Sequence, residues 1–164
     1  MTAQHTILAT ELGELTIVRD GERLTGLYFP HHWYRPGPAT FGPRTGEGFG
    51  AAASQLAEYL AGDRTAFDLP LDPRGSEFQL RVWDLIAQIP YGQTASYGEL
   101  ARALGGSPTA QEVGAAVGRN PLSILIPCHR VIGSDGKLTG YAGGLKRKQR
   151  LLELERAPVA VPLW

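Results

Sequence analysis

The sequence predicts an α+β protein in two parts, on three observations. The first seventy-odd residues hold β-rich runs around a hairpin signal, and the second half carries apolar residues at helical spacing behind successive helix caps. Between them, Asp72-Pro73-Arg74-Gly75 reads as a linker. Residues 1–74 are therefore expected as a small N-terminal α/β domain and residues 75–164 as a helical C-terminal domain. A chain of 164 residues accommodates two small units sharing an interface.

The N-terminal part opens in β-structure, with Leu12-Gly13 as a turn. Leu15 to Val18 and Leu24 to Phe29 are the next β-forming runs, and Asp20-Gly21 between them is a hairpin signal. Residues 30–50 are crowded with Pro and Gly and read as a long surface loop. It contains His31-His32, which lack a third ligand and are taken as exposed. Ala51 to Ala61 reads as a helix closed by Gly62, and Phe67 to Leu71 as a short last strand.

In the C-terminal part, Ser76 and Gln79 form a capping box ahead of Phe78, Val82, Leu85, Ile86 and Ile89, spaced to bury one helix face. Pro90-Tyr91-Gly92 stops that helix. Ser96 and Glu99 open a second, ended by Gly105-Gly106. Ser107-Pro108 is expected to start a third, running to about Val117 with Gly118 at its end. Two short helices across a Gly turn describe a helix-turn-helix. The small residues of the second either let helices pack closely or let its backbone sink into a DNA groove; the pattern leaves both open.

Composition is that of a globular protein, 43% hydrophobic and 20% charged. No window approaches the length of a membrane span, and the N-terminus has neither the basic flank nor the apolar core of a secretory signal. One cysteine forms no internal disulfide, which suits a reducing cytoplasm. Net charge is zero, but residues 1–75 carry nine acids and six bases while residues 76–164 carry seven and ten. The second half is the better candidate for an anionic partner, most densely at Lys146, Arg147, Lys148 and Arg150. A solvated helix face explains the same charges.

The most informative tetrapeptide is Pro127-Cys128-His129-Arg130. It holds the only cysteine, with an imidazole beside it, and a thiol so placed can be driven toward the nucleophilic thiolate. The apolar run Leu122 to Ile126 before it reads as an extended, buried segment ending at a pocket. The plain alternative is a small core cysteine with a chance neighbour.

Segment 126–133, Ile-Pro-Cys-His-Arg-Val-Ile-Gly, resembles the active-site motif of the O6-alkylguanine-DNA alkyltransferases, as does 140–145, Gly-Tyr-Ala-Gly-Gly-Leu. Segments 78–83 and 89–94, then Ser96-Tyr97 and Asn120-Pro121, follow the family's order and spacing. The likeness is close over about residues 75–156 and loose before them. It implies a ribonuclease H-like N-terminal domain and a monomer that needs no cofactor and no metal. It also implies single-turnover transfer of an alkyl group from O6-alkylguanine, and from O4-alkylthymine, to Cys128. The partner implied is double-stranded DNA bound through its minor groove, with the damaged base flipped out.

By the same resemblance, His129 activates Cys128 through a bridging water and Glu155, rather than Glu153, orients the imidazole. Tyr97 donates to the departing base, and Asn120 buttresses the turn that carries the cysteine. Carbonyls of Cys128 and Val131 accept from the guanine amine, Tyr141 shapes the cavity, and the peptide of Ala142 faces O6. Gly140, Gly143 and Gly144 are expected to give a wider wall that admits alkyl groups larger than methyl. The recognition helix would present Ala110, Gln111 and Gly114 to DNA, with Arg119 behind it.

One departure stands out. Gln111 occupies the position where the family places an arginine that enters the base stack. Glu112 beside it would repel phosphate if turned to the DNA, and Arg119 is the candidate to compensate. Two other readings are an alkyl-lesion sensor that recruits repair factors, which the presence of Cys128 argues against, and a cysteine hydrolase, which would draw its histidine from a distant segment.

Overall fold

The computed structural model describes residues 3–32, 35–133, 135–136 and 140–156. Parts of three expectations lie outside them: the first two residues of the N-terminus, residues 33–34 of the predicted loop, and residues 157–164 of the predicted C-terminal domain. The protein is α+β. An antiparallel sheet of β1 (Ala3–Thr10), β2 (Gly13–Asp20) and β3 (Arg23–Tyr28) is followed by α1 (Gly50–Leu60). The remainder is helical: α2 (Glu77–Ala87), α3 (Tyr97–Ala103), α4 (Ala110–Gly118) and α5 (Leu145–Glu155). Two short parallel strands, β4 (Ala95–Ser96) and β5 (Val131–Ile132), tie the start of α3 to the residues after the cysteine motif.

The hairpin signal forms as expected. Asp20 pairs with Arg23 around a two-residue turn in which Gly21 takes φ +62°, a left-handed conformation that glycine adopts without steric cost. Phe67 to Leu71 contributes only a single bridge, Leu24 to Leu71, rather than a strand. Proline within that run removes a ladder donor. The predicted loop includes a 3-10 turn at Pro38–Phe41 that buries Phe41. His32 is buried there, not exposed: it accepts the Phe29 backbone N–H at 3.3 Å and stacks on the Phe29 ring. Loss of hydration lowers its pKa to about 4, helped by the charges of Arg35 and Arg147.

Both predicted capping boxes close, Ser76 with Gln79 and Ser96 with Glu99. The third helix begins later than expected. Thr109, not Ser107, is its cap. Only a cap at 109 puts Glu112 three residues on, where its carboxylate returns to the Thr109 N–H at 3.1 Å. The helix-turn-helix is locked from below by Trp83, whose indole donates to the Ala116 carbonyl at 2.8 Å.

The core is continuous across both halves. Leu15, Ile17, Leu27, Phe29 and Leu56 join Val82, Trp83, Ile86, Leu122, Val131 and Leu151 in one buried cluster. Strand β3 reaches the segment before the cysteine, with the Leu27 N–H donating to the Pro121 carbonyl at 2.8 Å. The N-terminal sheet thus supports the backbone that carries Cys128.

Candidate active site

Residues 122–127 are buried but not extended. They form a compact turn, with the Ile126 N–H on the Leu122 carbonyl at 2.8 Å and Ile124 at φ +71°. A β-branched residue in that region is strained and persists only where its surroundings hold it. Asn120 is one such constraint. Its Oδ1 accepts from the Leu122 N–H at 3.0 Å and its Nδ2 donates to the Ile126 carbonyl at 2.9 Å. The turn delivers Cys128 into a short 3-10 segment, Cys128–Arg130.

Cys128 lines a cavity of about 220 Å³ with Tyr97, Gly114, Val117, Gly118, Gly140, Tyr141 and Ala142. Its sulfur accepts from Asn120 Nδ2 at 3.1 Å. Burial pushes the thiol pKa up, opposed by that hydrogen bond and by the nearby Lys148 charge. The resting group is therefore a thiol rather than the thiolate suggested by an adjacent histidine, and the proton must leave during the reaction.

Behind Cys128, His129 bonds through Nε2 to Glu155 Oε2 at 2.8 Å, both side chains fully buried. Desolvation lowers the His129 pKa, against the opposing pull of Glu155. The imidazole is neutral and ready to accept a proton; its buried Nδ1 has no protein partner. Burial acts to raise the Glu155 pKa, but hydrogen bonds from His129, Arg130 and the Tyr59 hydroxyl overcome it and hold the carboxyl at about 2. Arg130 grips it in a fork, Nε to Oε1 at 2.8 Å and Nη2 to Oε2 at 2.9 Å. Glu153 is exposed, and its carboxylate accepts from Gln149 Nε2 at 2.9 Å.

The structure brings Cys128, His129, Glu155, Asn120, Tyr97, Tyr141 and Ala142 together. Neither the Val131 side chain nor Gly143 lines the cavity. Val131 is fully buried in the β4–β5 pair. Gly143 is packed against Phe29: a Cβ there would lie 2.4 Å from that ring. Its missing side chain serves close packing, not a wider pocket. Phe29 also meets Tyr141 edge-on at 5.9 Å, so the N-terminal half backs the cavity wall.

On α4, Ala110 and Gln111 are exposed and Gly114 lies at the cavity rim against Tyr97. Arg119 caps the opposite end of the helix, about 12 Å from Gln111 along the axis. It stands beside Asn120, Trp83 and Arg74 at another cavity, which is too far to replace an intercalating side chain. Glu112 is held at the helix start by Thr109.

The sequence gives three site groups no part in the chemistry at Cys128: Tyr59, Arg130 and Lys148. Lys148, read as part of an exposed basic cluster, is fully buried, and loss of hydration lowers its pKa to about 8. The signal was present in the buried face of α5, where Lys148, Leu151, Leu152 and Glu155 recur at helical spacing. Among the described residues, no group of three or more His, Cys, Asp or Glu is arranged to hold a metal, and no helix is long and apolar enough to cross a membrane.

Residues 4–73 match the family model for the 6-O-methylguanine DNA methyltransferase ribonuclease-like domain, and residues 77–157 match that for the 6-O-methylguanine DNA methyltransferase DNA binding domain. A methylated-DNA–protein-cysteine methyltransferase of Mycobacterium tuberculosis is 48% identical over 155 residues, covering 93% of each chain. One from Haemophilus influenzae is 39% identical, covering 96% of this chain and 89% of its own. The crystal structure of the M. tuberculosis OGT in complex with DNA superposes with a TM-score of 0.87 at 45% identity, covering 94% of this chain and 95% of that one. With a cysteine at a cavity wall, a histidine and carboxylate behind it and a helix-turn-helix at its rim, the chain belongs to the 6-O-methylguanine DNA methyltransferase family.

Proposed function

We propose that the protein repairs DNA by moving an alkyl group from O6-alkylguanine, and from O4-alkylthymine, irreversibly onto Cys128, one group per molecule. The observation that carries this is the Cys128 sulfur at the cavity wall, hydrogen-bonded by Asn120 and backed by the buried His129–Glu155 pair. The thiol proton passes to His129, and a water between Sγ and the unpartnered Nδ1 suits a buried polar atom of this kind. The thiolate attacks the alkyl carbon, a C–S bond forms, and the C–O6 bond breaks with its electrons leaving on the base. Tyr97 at the cavity donates to the departing base, so the thiol's proton is in effect returned to guanine. The product thioether has no second nucleophile to release it, and no cofactor is consumed.

Backbone carbonyls of Cys128 and Val131, with the Ala142 peptide, are the proposed guanine contacts. The exposed face of α4, with Ala110, Gln111 and Gly114, is the proposed contact to the minor groove of duplex DNA, and Arg119 an outlying phosphate contact. On this reading the chain works as a cytoplasmic monomer with its two domains divided near residue 74, a division supported by the helix cap at Ser76. A lesion sensor would not need the thiol or the histidine pair behind it. Incubation with an O6-methylguanine oligonucleotide followed by intact-mass measurement should show one methyl, located on Cys128 and absent from Cys128→Ala. Repeated turnover, or a methyl elsewhere, refutes the proposal.

A further inference from the structure

We propose that Tyr59, in the N-terminal half, is a positioning residue for the transfer, acting through Glu155 on His129. The inference rests on the transfer reading above and gives the N-terminal half a direct part in it. The Tyr59 hydroxyl donates to Glu155 Oε2 at 2.5 Å, across 96 residues of sequence. That same oxygen receives His129 Nε2 at 2.8 Å and Arg130 Nη2 at 2.9 Å. Tyr59 is 1% exposed, and its ring is held by Phe67 at 5.2 Å and Tyr91 at 6.3 Å between centroids.

Two effects follow from three donors on one carboxylate oxygen. The carboxylate cannot rotate without breaking a buried hydrogen bond, so the direction in which it holds the imidazole is fixed. Its negative charge is also shared, so it pulls less strongly on the His129 N–H. An imidazole facing a less concentrated negative charge is less basic. His129 must be neutral to take the Cys128 proton, so Tyr59 extends the working range of the site toward lower pH. The other charged or titratable groups around His129 are Glu155 and Lys148 from α5, Arg130 from its own segment, and Cys128. Glu155 hydrogen-bonds both Tyr59 and His129.

A hydroxyl that merely found an acceptor in the core would stabilise the fold without moving the pH dependence. The test uses Tyr59→Phe, which keeps the ring and removes the donor, and Phe67→Leu, which loosens packing on the same ring and leaves the donor. Methyl transfer from an O6-methylguanine oligonucleotide and Cys128 alkylation by iodoacetamide are each measured against pH. Tyr59→Phe should slow both reactions several-fold and move the acid limb up by about half a unit or more, as expected when an imidazole gains basicity. Phe67→Leu should leave the limb in place. A 3-fluorotyrosine at position 59 is nearly isosteric and a stronger donor, so it should move the limb down; this keeps the test decisive if Tyr59→Phe folds poorly. A limb that stays put in both position-59 variants, or one that Phe67→Leu moves equally, overturns the proposal. Iodoacetamide needs no DNA. A wild-type protein that reacts with it but takes no methyl therefore refutes the transfer function, while the limb still tests Tyr59.

Discussion

Asn120 donates one side-chain amide to the Cys128 sulfur at 3.1 Å and, from the same nitrogen, to the Ile126 carbonyl at 2.9 Å. One side chain thus closes the turn before the cysteine and solvates the nucleophile. Asn120→Ala leaves the Leu122 N–H and the Ile126 carbonyl buried without that partner. The expected loss of stability is about 1–3 kcal/mol for such unsatisfied groups, read from denaturant unfolding. Transfer should slow as well, because the sulfur loses a donor that lowers its pKa.

Glu155→Gln should slow transfer by about tenfold or more, the range of a group assisting proton transfer. Glu153→Gln should not, since Glu153 faces solvent on the other side of α5. Single-turnover rates for the two variants decide the matter, and equal effects refute the assignment. The depressed Glu155 pKa also predicts acid sensitivity. A carboxyl held at about 2 in the fold against 4.5 ordinarily contributes its full stabilisation above about pH 4.5 and loses it as pH falls toward 2. The stability gap between wild type and Glu155→Gln should narrow over that window.

Lys148 carries an opposite linkage. Its pKa is lowered from 10.5 to about 8 by burial, so the unfolded chain holds the proton more tightly. The penalty for burying the charge is full below about pH 8 and is relieved as pH rises toward 10.5. Lys148→Met should therefore gain thermal stability relative to wild type near neutral pH and lose that advantage above about pH 10, the range in which a free lysine deprotonates. The same substitution should slow transfer, because the forming thiolate loses the cation beside it. Melting curves against pH and single-turnover rates separate the two effects.

Gln111 sits exposed near the start of α4, without the charge or reach of an arginine. Extruding a base costs a few kcal/mol, and less when it is already unpaired. The protein should act better on single strands and free O6-alkylguanine, relative to duplex, than a protein with arginine there. Gln111→Arg should raise the duplex rate and leave the free-base rate nearly unchanged. A duplex rate that does not rise shows that Gln111 already serves as a competent finger.

Local chemistry was legible in the chain. The Asp20-Gly21 hairpin and the caps at Ser76 and Ser96 each depend on residues within four positions, so their pattern was enough. The cap at Thr109 is not legible in the same way, because Ser107-Pro108 offers an equally plausible start and the reciprocal Glu112 bond selects the later one. The apolar run at 122–126 reads as extended in the sequence because burial alone does not distinguish a strand from a turn. Asn120 and the bridge from Leu27 to Leu122 impose the turn.

The cysteine motif and the family it signals were set by the sequence alone, since adjacent residues carry both. The state of the cysteine was not. Whether it rests as thiol or thiolate depends on burial, on Asn120 and on a lysine twenty residues away. The partners of Glu155 come from α1 and from the cysteine segment, 96 and 25 residues distant. Tyr59 and Lys148 look like an ordinary helix tyrosine and an ordinary surface lysine. Only tertiary packing removes their water, and in that dry interior a hydrogen bond or a charge is strong enough to set what its neighbour does.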